Sequence, residues 1–179
     1  MSSQLTVTTG QYSDRGRKET NQDFHGIFVP KEPQLSEKGI VVALADGISS
    51  SAVSQEAAQA AVSALMEDYY CTAEAWSVRK SVEHVLTAVN NWLYAQTQRS
   101  QHRYDRDRGF VCTLSGIVLK STTAYLFHVG DTRIYRLRGG ALEQLTEDHR
   151  LRLSSQESFL SRAFGMDRKV EIDSQALAL

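Results

Sequence analysis

Three acids in this chain stand where a carboxylate can do chemistry. Asp23 precedes the strand-like stretch Phe24 to Val29, and Asp46 ends the apolar run Ile40-Val41-Val42-Ala43-Leu44-Ala45. Asp131 follows the apolar Tyr125-Leu126-Phe127-His128-Val129. An acid just past an apolar strand lies at a sheet edge, where it reaches a ligand while its backbone stays rigid. Gly47 after Asp46 and Gly130 before Asp131 leave room for a metal or phosphate to approach the main chain. Carboxylates with backbone carbonyls and water suit a hard cation, Mg²⁺ or Mn²⁺ rather than zinc. Residue types alone also admit plainer readings. Asp-Gly is a common turn pair, and Asp131-Thr132-Arg133 can be held by its own side chains, with Arg133 paired to Asp131.

Other candidates read as structural. His25, His84, His102, His128 and His149 show neither HxH nor HExxH spacing. Cys71 and Cys112 form no CxxC pair and start no Cys-x5-Arg motif, so they read as small half-buried residues in a reducing compartment. Arg99, Arg103, Arg106 and Arg108 are interleaved with Asp105 and Asp107, the pattern of a solvated charged loop.

Twenty Lys and Arg against 21 Asp and Glu leave a net charge of −1, which excludes a bulk electrostatic footprint for nucleic acid or anionic membrane. No segment approaches the roughly 20 apolar residues of a membrane-spanning helix. Met1-Ser2-Ser3-Gln4-Leu5 lacks the basic stretch and apolar core of a signal peptide. A cytoplasmic location and a single domain over 1–179 are the resulting expectations.

The acids must be placed by strands. Leu5 to Thr9, Phe24 to Val29 and Gly39 to Ala45 read as three, the last without polar alternation and so covered on both faces. Ala58, Val62, Leu65 and Tyr69 form one helical stripe. Val78, Val82, Val85, Val89 and Trp92 form a second, and Trp76 is assigned with Trp92 to the helix core. Strands resume at Val111 to Leu119 and Ala124 to Val129. Ile134 to Arg138 and Ala141 to Leu145 then make a hairpin around Gly139-Gly140. Leu151 to Phe164 reads as partly helical. Strands, two helices, then more strands define an α+β fold with antiparallel sheet.

Four short motifs recur in one order through these elements: Asn21-Gln22-Asp23, Ala45-Asp46-Gly47, His128-Val129-Gly130-Asp131-Thr132-Arg133-Ile134-Tyr135, and Gln144-Leu145-Thr146-Glu147-Asp148-His149. Together they resemble the metal-dependent protein phosphatase 2C (PPM) family from about Tyr12 onward. Gly16 to Gly26 with Ala45 to Ser51 more narrowly resembles bacterial proteins in which such a domain precedes a Ser/Thr kinase domain.

The resemblance implies a four-layer α-β-β-α sandwich, two antiparallel sheets flanked by helices, incomplete in this chain. It implies a protein Ser/Thr phosphatase that hydrolyses phosphoserine and phosphothreonine in protein substrates through a metal-bridging hydroxide. Two Mn²⁺ or Mg²⁺ ions would be held with Asp46 shared between them and Gly47 offering its carbonyl. Asp23 would hold metal-bound water, and Asp131 matches the acid of a third, looser position. Arg17 or Lys18 falls near the family's phosphate-gripping arginine, and spacing leaves that choice open. Ile48-Ser49-Ser50-Ser51 replaces the family's second glycine pair, and Gln22 stands where many relatives have an acid. Relatives carry a later Asp-Gly and an Asp-Asn, which the chain does not reach before Leu179, and Asp167 and Asp173 read as solvated loop acids. This stretch is therefore expected to lack the last strands and metal-binding acids, and alone to bind metal weakly and turn over little. The rival expectation is a non-catalytic phosphatase-like module that binds a partner or regulates a fused kinase.

Overall fold

The computed structural model describes residues 5–152, 154 and 158–179, and says nothing of the Arg106 side chain. Its centre is an antiparallel sheet of five strands. They are β1 (Asp23–Phe28), β2 (Ile40–Asp46), β3 (Leu114–Lys120), β4 (Thr123–Val129) and, at the far edge, β9 (Asp173–Ala178). Three helices separate the strands: α1 (Gln34–Lys38), α2 (Ser54–Cys71) and α3 (Val78–Arg99). Two ribbons complete the described fold, β5 (Tyr135–Arg138) with β6 (Ala141–Gln144), and β7 (Arg150–Arg152) with β8 (Ser158–Leu160).

Alternation along each strand gives the sheet two unlike faces. Val41, Ala43, Ala45, Leu114, Val118, Phe127 and Val129 pack against α2 and α3 in one core with Ala57, Val62, Leu65, Leu86 and Leu93. Each large apolar side chain buried there contributes about 1.5–3 kcal/mol. Gly26 lets α2 come close: a Cβ at that position would lie 3.1 Å from Val62. On the opposite face, Ala124, Leu126 and Ile134 form a smaller cluster with Ile117, Leu119, Leu145 and Leu177. Asp23 and Asp46 belong to that second face by parity.

Both helical stripes fold as expected, and Ser77 caps α3 by accepting from the Lys80 amide. The Gly139-Gly140 turn joins β5 to β6 as the spacing predicts. Tyr69 closes α2 onto α1, its hydroxyl donating to the Lys38 carbonyl at 2.8 Å inside the core. Tyr69→Phe should therefore lower stability by about 1–2 kcal/mol, because a buried carbonyl loses its donor. Urea unfolding would show this as a lower midpoint at unchanged slope.

Several expectations need correction. Leu5 to Thr9 is not a strand, for it finds no ladder partner. β2 is fully covered only on the helix side: Leu44 is 44% exposed, because only part of the second face carries other chain. Trp92 is 48% exposed and Trp76 lies before α3, half-buried, so neither fills the helix core. Cys71 is exposed and Cys112 fully buried, rather than both half-buried. The reading of 151–164 as partly helical gives way to the β7–β8 hairpin, although 153 and 155–157 lie outside the described residues. Asp173 is no loop acid. It opens β9 and pairs with His149 and Arg162.

Candidate metal and phosphate site

Strand pairing brings the first two acids together. Asp23 at the start of β1 lies directly opposite Asp46 at the end of β2, on the same face. Thr113 grips the Asp46 main chain, its amide donating to the Asp46 carbonyl at 2.8 Å and its hydroxyl accepting from the Asp46 amide at 3.2 Å. Asp46 is half-buried, and its Oδ1 is buried with no hydrogen-bond partner. Burial first, then the neighbouring Asp23 carboxyl, pushes its pKa up to about 6. Lys18 pulls the other way and Asp131 adds to the rise, so the field of all three reaches Asp46.

The Asp46-Gly47 turn continues into a loop fixed by side chains that sequence reading left unassigned. Gln22 points into that loop, donating to the Ser51 carbonyl and the Ser54 hydroxyl, both at 2.8 Å, and to the Ile48 carbonyl at 3.4 Å. Ser51 is buried and donates to the carbonyls of Arg108 and Gly109, and Ser50 donates to that of Asp107. The serine run thus latches onto the charged 100–109 loop. Its first member, Ser49, accepts from Lys18 Nζ at 2.9 Å. The signal was the run itself, which needs acceptors close by. Only the fold shows where they are.

Gly47 and Gly130 serve protein packing rather than leaving space for a ligand. A Cβ on Gly47 would lie 2.6 Å from the Ser54 carbonyl oxygen. Gly130 has φ +113°, and its Cβ would meet Thr113 at 2.4 Å. Around Gly130 the two buried histidines form a framework. The Gly130 amide donates to His149 Nδ1 at 3.0 Å, and the His149 amide donates to the Gly130 carbonyl at 2.7 Å. His149 Nε2 lies 2.9 Å from Asp173 Oδ2, so its ring proton belongs on Nε2. His128 is 4.8 Å away, centroid to centroid, with Nε2 on the Glu147 carbonyl and Nδ1 on Ser115 Oγ, and burial holds it below the usual imidazole range. Their structural role agrees with the sequence reading.

Asp131 leaves this framework toward an open cleft of about 670 Å³ that it lines with Arg133, Asp148, Arg150, Arg152 and Ser158. Its partner is Arg150 and not Arg133. Arg133 instead makes two bonds to Asp148, at 2.7 and 2.5 Å, and that pairing holds Asp148 below the usual carboxylate range. The plainer reading, Arg133 paired to Asp131, is thus not what forms: Arg133, in the loop before β5, bonds Asp148 in the turn before β7.

Among the described residues, no group of three or more His, Cys, Asp or Glu side chains is close enough to enclose a metal ion. The paired carboxylates nevertheless fit one: two acids in register, with an Asp46 oxygen lacking any donor, are the hard-oxygen set a divalent cation accepts. Cysteine chemistry has no footing beside them, since burial, then the charge of Asp46, raises the Cys112 thiol far above neutrality.

Paired acids at the strand ends of an antiparallel α+β scaffold suit metal-assisted chemistry on a phosphate ester. The model of the protein phosphatase 2C family matches residues 11–173, and the chain belongs to that family. It is 29% identical to the serine/threonine phosphatase stp of Listeria welshimeri over 185 residues, covering 90% of this chain and 68% of the relative. The stp of Listeria monocytogenes matches at the same identity and coverage. Among solved structures, the Staphylococcus aureus serine/threonine phosphatase Stp1 superposes with a TM-score of 0.78 at 19% identity, over 94% of this chain and 70% of that one. The catalytic domain of the phosphatase PstP in complex with two manganese ions gives 0.69 at 24% identity, over 93% and 70%. The chain is thus a protein Ser/Thr phosphatase. No helix of the described residues is long and apolar enough to cross a membrane.

Proposed function

We propose that Asp23, Asp46 and the Gly47 carbonyl hold two divalent cations, Mn²⁺ or Mg²⁺, that Asp131 serves a third position, and that Lys18 faces the substrate phosphate. The supporting observation is the Asp23–Asp46 register with its unpartnered Asp46 oxygen. Bound there, such ions supply Lewis acidity, acidifying water and neutralising charge on phosphoryl oxygens. The protein's own part is positional. Thr113 fixes the Asp46 backbone, and Gln22 holds the loop that carries Ser49 and so the Lys18 ammonium. Of the two basic candidates, Lys18 is the one tied to this loop and felt by Asp46, which favours it over Arg17.

The full-length protein with a phosphothreonine peptide should release phosphate in Mn²⁺, stop in excess EDTA and resume when Mn²⁺ is restored. Alkylation of Cys71 should leave the rate unchanged. Release that persists in EDTA would overturn the assignment. The narrower reading, a cytoplasmic phosphatase in one gene product with a Ser/Thr kinase domain, rests on the resemblance of 16–26 and 45–51. Sequencing the surrounding reading frame tests it.

A further inference from the structure

The cleft beside Asp131 is lined for an anion. Arg133, Arg150 and Arg152 stand there against Asp131 and Asp148, which leaves one positive charge in excess. Both aspartates are already engaged, Asp131 by Arg150 and Asp148 by Arg133. The arginines are not used up by these pairs, because a guanidinium offers more N–H donors than one carboxylate takes. Arg150 gives one nitrogen to Asp131, Nε to Ser158 Oγ at 3.1 Å and the last to the Ser158 carbonyl at 3.3 Å. Arg133 is fixed in the same way by Asp148 and the Tyr135 hydroxyl. Both terminal nitrogens of each arginine still carry a spare N–H. Arg152 has its whole fork free: among the described residues it makes no ion pair and no hydrogen bond. It shares one side of β7 with Arg150, while Leu151 between them takes the other side and is 62% exposed.

We propose that this cleft receives an acidic side chain of the phosphoprotein substrate, a carboxylate close in sequence to the phosphorylated residue, with Arg152 as its main partner. The inference deepens the reading of Asp23 and Asp46 as the metal pair, and it rests on that reading. The planar fork of a guanidinium matches the two oxygens of a carboxylate. One excess positive charge balances one carboxylate, whereas a second phosphate, with nearly two charges, would overbalance it. The cleft opens within electrostatic reach of the acid pair, since the charge of Asp131 is felt at Asp46. An extended chain advances about 3.3 Å per residue, so the acid belongs a few residues from the phosphorylated one. Arg152 thus selects the substrate and does not touch the reacting atoms.

The test gives the full-length protein, in Mn²⁺, phosphothreonine peptides that differ only in one glutamate. That glutamate is moved a residue at a time to either side of the phosphothreonine, and a glutamine peptide is the neutral reference. At low salt one position should raise kcat/KM about threefold to fivefold over the neutral peptide, the scale of an exposed ion pair. The gain should shrink as added salt screens it. Arg152→Gln should remove most of this preference. Arg152→Glu should reverse it, so that lysine at the same peptide position outperforms glutamate. A folding defect lowers the rate on every peptide alike, so a reversal cannot come from lost structure. Mn²⁺-dependent release with no preference at any position, or a preference that Arg152→Glu leaves intact, would overturn the inference and leave the metal pair standing. No release, or release that needs no Mn²⁺, would overturn the reading of the metal pair, and the inference with it.

Discussion

Asp46→Ala in the full-length protein is expected to lower Mn²⁺-dependent phosphate release from a phosphothreonine peptide by at least about 10³-fold, the scale set by removing a group that organises charge in the transition state. Asp46 is the acid with the deepest commitment to the site. It faces Asp23 across the ladder, its backbone is held twice by Thr113, and its Oδ1 has no protein partner. Truncation removes that oxygen and leaves Asp23 facing a methyl group. The core face of β2 is untouched, so thermal unfolding should still be cooperative. Activity equal to wild type would remove Asp46 from the metal set and leave the assignment without its central member. Gln22 offers a graded comparison, since Gln22→Ala loosens the loop from 48 to 54 without touching either acid.

The same residue should have an opposite effect on stability. Near pH 7.5, without metal, Asp46→Asn is expected to make the protein more stable than wild type. Burial, then Asp23, raises the folded pKa of Asp46 from 3.8 to about 6. The folded state therefore holds this proton more tightly than the unfolded chain does. Stability contributed by the group is complete below the unfolded pKa and is lost as pH climbs through the folded one. A shift of that size corresponds to about 3 kcal/mol in an enclosed site, and solvent screening at this half-buried one leaves about 1–2 kcal/mol. Asparagine keeps the shape and carries no charge, so the gain should appear at pH 7.5 and vanish below about pH 4. Mn²⁺ should invert the order, because an ion that binds only the folded wild type stabilises it by mass action. Urea unfolding at two pH values, with EDTA and with Mn²⁺, reads all four states. An Asn variant weaker than wild type in EDTA at pH 7.5 would show that the carboxylate is satisfied within the protein.

Local pattern made much of the fold legible. The stripes Ala58-Val62-Leu65-Tyr69 and Val78-Val82-Val85-Val89 are periodic enough to define α2 and α3, because each turn of helix repeats the same burial requirement. Apolar runs ending in Asp46 and Val129 marked β2 and β4, and Gly139-Gly140 marked a hairpin, since only glycine enters that turn freely. Those signals sufficed to put Asp23, Asp46 and Asp131 beside strand ends. The solvated-loop reading of Asp173 fails for the converse reason: β9 is a half-exposed edge strand without a continuous apolar run, and it is recruited only by pairing with β4. Leu44 and Trp92 were misplaced because apolar character states a preference for burial but not whether another layer arrives to provide it.

Which groups meet was decided in three dimensions. Asp23 and Asp46 are neighbours because β1 and β2 are in register, and a slip of one residue would send one acid to the other face. Arg133 stands two residues from Asp131 yet bonds Asp148, while Arg150 crosses from another ribbon to take Asp131. Gly47 and Gly130 suggested room for a ligand, but the neighbouring Ser54 and Thr113 fill it. The chain by itself determined which acids sit at strand ends, because backbone periodicity acts over a few residues. Tertiary structure alone decided their partners, because charge and hydrogen bonding act across space and ignore the order of the chain.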